Sequence, residues 1–290
     1  MTPFRRSTQT ARARTRRRGH VVLGILLAGI SVAACGDDGI TDPVAVDLGE
    51  TTFVFVLNPT VNDANEQSVP TPGGSVSGVS VSVQGGPAGT TGTGGVVALG
   101  PVEAGTRTVS FGSTGELSLS ISSGDLREVA VALDGSGAAQ MASVAYQFDG
   151  QTVVEITPDL PISEVSEELA KSNQIVLLRG GTYTGALEFS GSNVTLFGEG
   201  AEGGNVTING SVTVSGSGNR IRGARITGDL SVPGSNAGIS FSSVAGAVTV
   251  DGSDAVLLNN AFCGDVTIDG SGLTALGNAG MPPLAAPASC

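Results

Sequence analysis

The chain has 290 residues, 45 of them glycine and none tryptophan, with 14 Lys and Arg against 26 Asp and Glu and a formal net charge of −12. Glycine at this share without a Gly-X-Y period excludes collagen. Abundant Gly, Ser, Thr and Val predict many short strands joined by tight turns.

Residues 1–34 read as a secretory signal. A basic stretch, MTPFRRSTQTARARTRRRGH, is followed by the apolar run VVLGILLAGISVAA, with small residues at its end. The run is too short for a stable membrane span. Its removal takes away seven arginines and no acid, leaving seven basic residues against 26 acidic ones and a net charge of −19. Nucleic acid and anionic lipid surfaces are then poor partners. The only histidine, His20, leaves with the signal. Ser-His-Asp and Cys-His triads, imidazole acid–base work and His-ligated zinc or copper are therefore excluded for the mature chain.

Val32-Ala33-Ala34-Cys35 resembles the bacterial lipobox. That resemblance implies an acylated Cys35 as first residue of an exported protein, which reaches the membrane through its lipid anchor alone. It also implies an outer-membrane, periplasmic or surface-facing location, with Gly36 rather than Asp after the cysteine favouring the outer membrane. Residues 35–50 are acidic and turn-rich and read as a tether. Two further cysteines, Cys263 and Cys290, remain in an exported chain where disulfides persist, so a structural bond is expected between them.

Residues 51–157 show short alternating segments: TFVFVL, GVSVSVQ, VVAL, RTVSF, ELSLSI, EVAVAL, SVAYQ and TVVEI. Gly- and Pro-bearing turns separate them, as in a small antiparallel β-sandwich. The stretch GVSVSVQGGPAGTTGTGGVVALGPVEAGTRTVSF resembles the carboxypeptidase-regulatory-like, transthyretin-like sandwich. The resemblance implies a spacer or binding module without catalysis.

Next, in PDLPISEVSEELAKSNQ, Ile162, Val165 and Leu169 are spaced as one face of an amphipathic helix of about eleven residues. A helix within 158–173, alone between β-rich regions, is expected to cap the region C-terminal to it.

Residues 174–280 repeat. Blocks beginning at Val212, Leu230, Val248 and Val266 are eighteen residues apart. Their third positions are Val214, Val232, Val250 and Ile268, and their fifth are Gly216, Gly234, Gly252 and Gly270. A fixed short period means a solenoid. A left-handed hexapeptide helix would need apolar residues at positions one, seven and thirteen, yet position seven holds Gly218, Asn236 and Asp254. The apolar positions are one, three, ten and fifteen, which give three short strands per coil and a right-handed parallel β-helix of about six coils. The fold class is thus all-β: a small antiparallel sandwich, then a short parallel β-helix capped by one α-helix. The stretch SEELAKSNQIVLLRGGTYTGALEFSGSNVTLFGEG resembles the N-terminal start of pectin-lyase-like β-helix proteins, a resemblance specific for fold and nearly silent on activity. The tail, 281–290, is expected to fold over the far end through Met281 and Leu284 and to keep the protein monomeric.

Two groups of residues carry candidate chemistry. Asp251 and Asp269 occupy position four of adjacent coils, where they suggest a calcium site, or else solvated aspartates in Asp-Gly turns. Arg220, Arg222 and Arg225 form the densest basic group of the mature chain. Arg220 and Arg222 flank inward Ile221 and so point outward, where they suggest anionic-glycan binding. The lyases of this fold use a basic residue beside a uronate carboxylate, which makes the same cluster the best enzymatic candidate. The alternative is pairing of these arginines with Asp229, Glu199 or Glu202. Asn260 and Asn278 share position thirteen and suggest an asparagine ladder. The favoured reading is a non-enzymatic, membrane-anchored envelope or cell-surface lipoprotein without a cofactor, whose partner is an envelope polysaccharide or protein. The rivals are a polysaccharide lyase and a self-assembling envelope scaffold.

Overall fold

The structure is a computed structural model that describes residues 52–59, 78–92, 96–100, 102–112, 115–133, 139–148, 150–199 and 206–281. The signal, the tether, Leu284 and Cys290 lie outside the described residues.

Eight strands make the N-terminal unit: β1 (Thr52–Pro59), β2 (Ser80–Val83), β3 (Ala88–Thr90), β4 (Val96–Leu99), β5 (Gly105–Phe111), β6 (Gly115–Ile121), β7 (Asp125–Leu133) and β8 (Ala139–Gln147). They form two four-stranded sheets, β4-β1-β7-β8 and β3-β2-β5-β6. Every pairing is antiparallel except that of β1 with β7, which is parallel. Val81, Val109, Phe111 and Leu119 from one sheet meet Leu99, Val129 and Val131 from the other in a shared core. Because strand side chains alternate in direction, Leu126, Glu128 and Ala130 of β7 face away from that core.

The next strand, β9 (Thr152–Ile156), corrects the expected boundary at 157. It does not join the sandwich. It pairs in parallel with β10 (Gln174–Leu178), from Thr152 beside Gln174 to Ile156 beside Leu178. The solenoid therefore begins one turn earlier than its repeat indicates and has about seven turns rather than six. TVVEI hides this because a helix succeeds it, where later turns continue with a Gly-rich corner. That helix, α1 (Ile162–Leu169), is eight residues long and buries Val165 and Leu169 against the first turns. It ends at Ala170, shorter than the eleven residues its apolar spacing suggests.

Each later turn carries three strands. They are β10, β11 (Gly181–Thr184) and β12 (Leu187–Phe189); β13 (Val194–Gly198), β14 (Val206–Asn209) and β15 (Val212–Val214); β16 (Arg220–Arg222), β17 (Arg225–Ile226) and β18 (Leu230–Val232). Then come β19 (Gly238–Ser240), β20 (Ser243–Val244) and β21 (Val248–Val250); β22 (Val256–Leu258), β23 (Ala261–Phe262) and β24 (Val266–Ile268); and finally β25 (Thr274–Leu276). They stack into one seven-stranded sheet, β25-β22-β19-β16-β13-β10-β9, and two five-stranded sheets, β11-β14-β17-β20-β23 and β12-β15-β18-β21-β24.

The register is the eighteen-residue one. Val212 lies beside Leu230, Leu230 beside Val248 and Val248 beside Val266. Ile221, Ile239 and Leu257 stack, as do Ile226, Val244 and Phe262. These positions, with Val214, Val232 and Val250, fill one continuous apolar core. At the far end Met281 is buried against it.

Two corner positions explain the rest of the pattern. At position five the turns approach so closely that a Cβ on Gly234 would lie 2.2 Å from the Gly216 carbonyl oxygen, and one on Gly252 2.0 Å from that of Gly234. Position seven is left-handed in every turn after the first: Asn173, Asn193, Gly218, Asn236, Asp254 and Gly272 all have positive φ. Asn, Asp and Gly tolerate that conformation best, which is why the position is polar rather than apolar.

Candidate functional site

The arginine cluster is split by the fold. Arg225 is exposed, Arg220 is half-buried and Arg222 is buried. Arg220 and Arg222 do point outward from β16, as their alternation with inward Ile221 requires. The outer face of that sheet, however, is not open to solvent. The second face of the β7–β8 sheet packs on it, with Leu126, Ala130, Ala142, Val144 and Tyr146 against Leu258, Leu276, Phe197 and Val256.

A polar network sits inside this contact. Arg222 Nε donates to Glu128 Oε1 at 2.5 Å, and Ser240 Oγ donates to Glu128 Oε2 at 2.5 Å. The Tyr146 hydroxyl bonds Ser240 Oγ. Ser240 has one proton, and with that proton on Glu128 the phenol must be the donor. The relay therefore runs from Tyr146 to Ser240 to Glu128. The guanidinium of Arg222 lies 4.7 Å from the Phe197 ring centroid and 5.5 Å from that of Phe241, within cation–π range of both. Tyr146 also meets Phe197 edge-on at 5.9 Å. Glu128, Ser240 and Tyr146 have no solvent exposure. Burial pushes the Tyr146 phenol well above its usual range, and the Glu128 charge adds to the shift. The phenol is thereby held protonated, as the relay needs. The carboxylate, both hydroxyls and the guanidinium are engaged with one another in a buried contact, an arrangement that holds two layers together.

The alternative of an ion pair takes a different form at Arg222. Arg222 is matched with Glu128 of the sandwich rather than with Asp229 or Glu199. Glu199 is held by Arg179 at 2.7 Å, and Arg179 also holds Glu155 at 2.7 Å. That hydrogen bond draws the Glu155 carboxyl below its usual range and raises the guanidinium. Asp229 Oδ1 accepts the backbone N–H of Ala247. Glu202 lies outside the described residues.

Asp251 and Asp269 are exposed on adjacent turns. Their backbone N–H groups bond Val232 and Val250, so both residues serve the stacking of turns. Among the described residues, no group of three or more His, Cys, Asp or Glu gathers where it could hold a metal ion. The asparagine ladder is present. Asn260 Nδ2 donates to Asn278 Oδ1, and the backbone N–H groups of Ser242 and Asn260 donate to the amide oxygens of Asn260 and Asn278. Cys263 comes directly after β23, and the residue expected to bond it, Cys290, is outside the described residues. No helix among the described residues is long and apolar enough to cross a membrane.

Glu128, Ser240, Tyr146, Phe197 and Phe241 were not marked by any motif. One signal was available. In EVAVAL the residues after Glu128 are apolar at both alternate sets of positions, and a strand apolar on both faces is covered on both. In comparisons with protein-family models, with curated proteins and with solved structures, nothing matches the chain. The class is therefore defined by the architecture itself: a parallel β-solenoid with a β-sandwich docked on one of its faces.

Proposed function

We propose that this chain is a non-enzymatic lipoprotein of the bacterial envelope or cell surface, anchored by acyl chains on Cys35, in which the docked sandwich and solenoid form a stiff structural or binding module. The observation that carries the non-enzymatic reading is the burial of Arg222 with Glu128 beneath the sandwich. It removes one of the three cations of the candidate glycan site from solvent. The anchor rests on the basic stretch, apolar run and VAAC sequence ahead of Gly36.

The finer kinship is with the pectin-lyase-like β-helices for the solenoid and the transthyretin-like sandwiches for the N-terminal unit. The first is supported by α1 on the opening turns and by Tyr183 buried in the inward column. The second rests on the two stacked four-stranded sheets. A Cys263–Cys290 disulfide closes the tail over the last turns in this reading. Its support is that Cys263 does not stand as a free thiol and that Met281, where the tail begins, is buried on the core.

Two measurements test the proposal. Cys35→Ser should move the protein from the membrane fraction to the soluble one; a variant that still fractionates with membranes rejects the anchor. Cys263→Ser with Cys290→Ser should lower stability by roughly 3 kcal/mol in the chain-entropy account, read as a fall in melting temperature. Two reactive thiols in unfolded, unreduced mature protein would reject the bond.

A further inference from the structure

The covered solenoid face is built from rungs that repeat every ~4.8 Å, so an apolar sheet laid across it meets nearly the same surface one rung along. The tether between the two layers does not remove this ambiguity. Four residues, 148–151, join β8 to β9, and fully extended they reach at most ~14 Å, well over one rung. Something else must choose the rung.

We propose that the Glu128–Arg222 pair chooses it, acting as a register lock between the sandwich and the solenoid. Along the outward column of the covered face the residues are Phe197, Arg222, Ser240, Leu258 and Leu276. Only one of them is a cation. In the observed register Glu128 lies between Arg222 and Ser240. One rung toward the C-terminus it would lie between Ser240 and Leu258, a buried carboxylate with no counter-charge. One rung toward the N-terminus it would meet Phe197 and Arg222, and Val144 would be driven onto the side chain of Arg220.

A second, weaker reader of register lies beside the pair. A Cβ on Gly238 would come within 3.0 Å of Val144 Cγ1 and 3.2 Å of Arg220 Cγ, so Val144 packs into a notch that the glycine leaves and a larger residue would crowd. The next rung offers Val256 at that position. Crowded methyl groups can shift to relieve such a contact, whereas an unpaired buried charge has no comparable escape. Against a slip toward the C-terminus, the one the Val256 rung offers, the charge is therefore the decisive reader, in keeping with the best-attested use of buried polar pairs as setters of register; against a slip toward the N-terminus, where Glu128 would keep Arg222, the Arg220 side chain stands in the way.

The test is disulfide trapping in the full chain. Val144→Cys with Gly238→Cys reports the observed register, and the new thiol takes room vacated by the valine methyls. Val144→Cys with Val256→Cys reports the register one rung along. Each pair is introduced into the parent and into Glu128→Leu/Arg222→Leu, which removes both charges together, and the products are identified by mass in a non-reducing digest. The lock predicts only the 144–238 product from the parent and both products from the leucine variant. Should that variant fail to fold, Glu128→Gln/Arg222→Met, which keeps both side-chain lengths and removes both charges, is read in the same way. A 144–238 product alone from the charge-free variants would show that shape sets the register and would overturn the lock. Both products from the parent would overturn it equally.

Discussion

The solenoid has two kinds of outer face. On the sheet of β12, β15, β18, β21 and β24 the outward side chains are Glu188, Thr213, Ser231, Thr249 and Thr267, all half-buried or exposed. On the seven-stranded sheet one outward column reads Phe197, Arg222, Ser240, Leu258 and Leu276, and the last four are buried. The inward residues of the two sheets are alike, mostly Val, Leu and Ile. What separates the faces is the composition of the outward positions, mostly hydroxyl-bearing where water is the neighbour and largely apolar with one cation where a second layer is. An outward column that turns apolar within a solenoid marks the face that something else covers.

The largest expected effect tests inward against outward on the bare face. Val250→Asp places a carboxylate in the narrow core between Val232 and Ile268 and should cost more than about 4 kcal/mol, enough to unfold the last turns. Thr249→Asp, one residue away and half-buried, should stay within about 1 kcal/mol. Equal losses of melting temperature at the two positions would mean that the two sides of the strand do not differ as described.

Next is the contrast between covered and bare arginines. Arg222→Ala leaves Glu128 buried without its partner and should destabilise by about 3–5 kcal/mol. Arg225→Ala, on an exposed side chain, should fall within about 0.5 kcal/mol. Denaturant midpoints of the two variants decide this, and a mild Arg222→Ala would show that the covered face is wetter than its packing indicates.

The smallest effect is alkaline. Tyr146 is raised well above the usual phenol range by burial and by the Glu128 charge, and Tyr183 is pushed up to about 12 by burial. A phenol whose pKa is raised on folding gives its full stabilisation below the unfolded value near 10, and that stabilisation is lost as pH climbs through the folded value. Both tyrosines should therefore make the protein less stable above pH 10. Tyr183→Phe forfeits hydrogen bonds to the Ile156 and Arg179 carbonyls and should start less stable, then gain on the parent between pH 10 and 12. Parallel melting curves for the two proteins across that range would contradict the shift.

How much of this was legible beforehand depends on whether a contact recurs. The eighteen-residue period, the inward columns, the close-packed glycines at position five and the Asn260–Asn278 ladder all appear in the amino-acid sequence, because a solenoid makes each of these contacts once per turn and writes it once per repeat. The first turn did not appear, since β9 leads into α1 and so carries no copy of the corner. The fate of Arg222 did not appear either. Glu128 meets it 94 residues away, at a place where two different architectures touch once. The sequence by itself determined the solenoid and its register through local repetition, and the helix over its first turns through apolar spacing. Which face was covered, and that a candidate ligand-binding arginine would become a buried interdomain ion pair, was decided only in the tertiary structure, because a single long-range contact between unlike layers leaves no period to read.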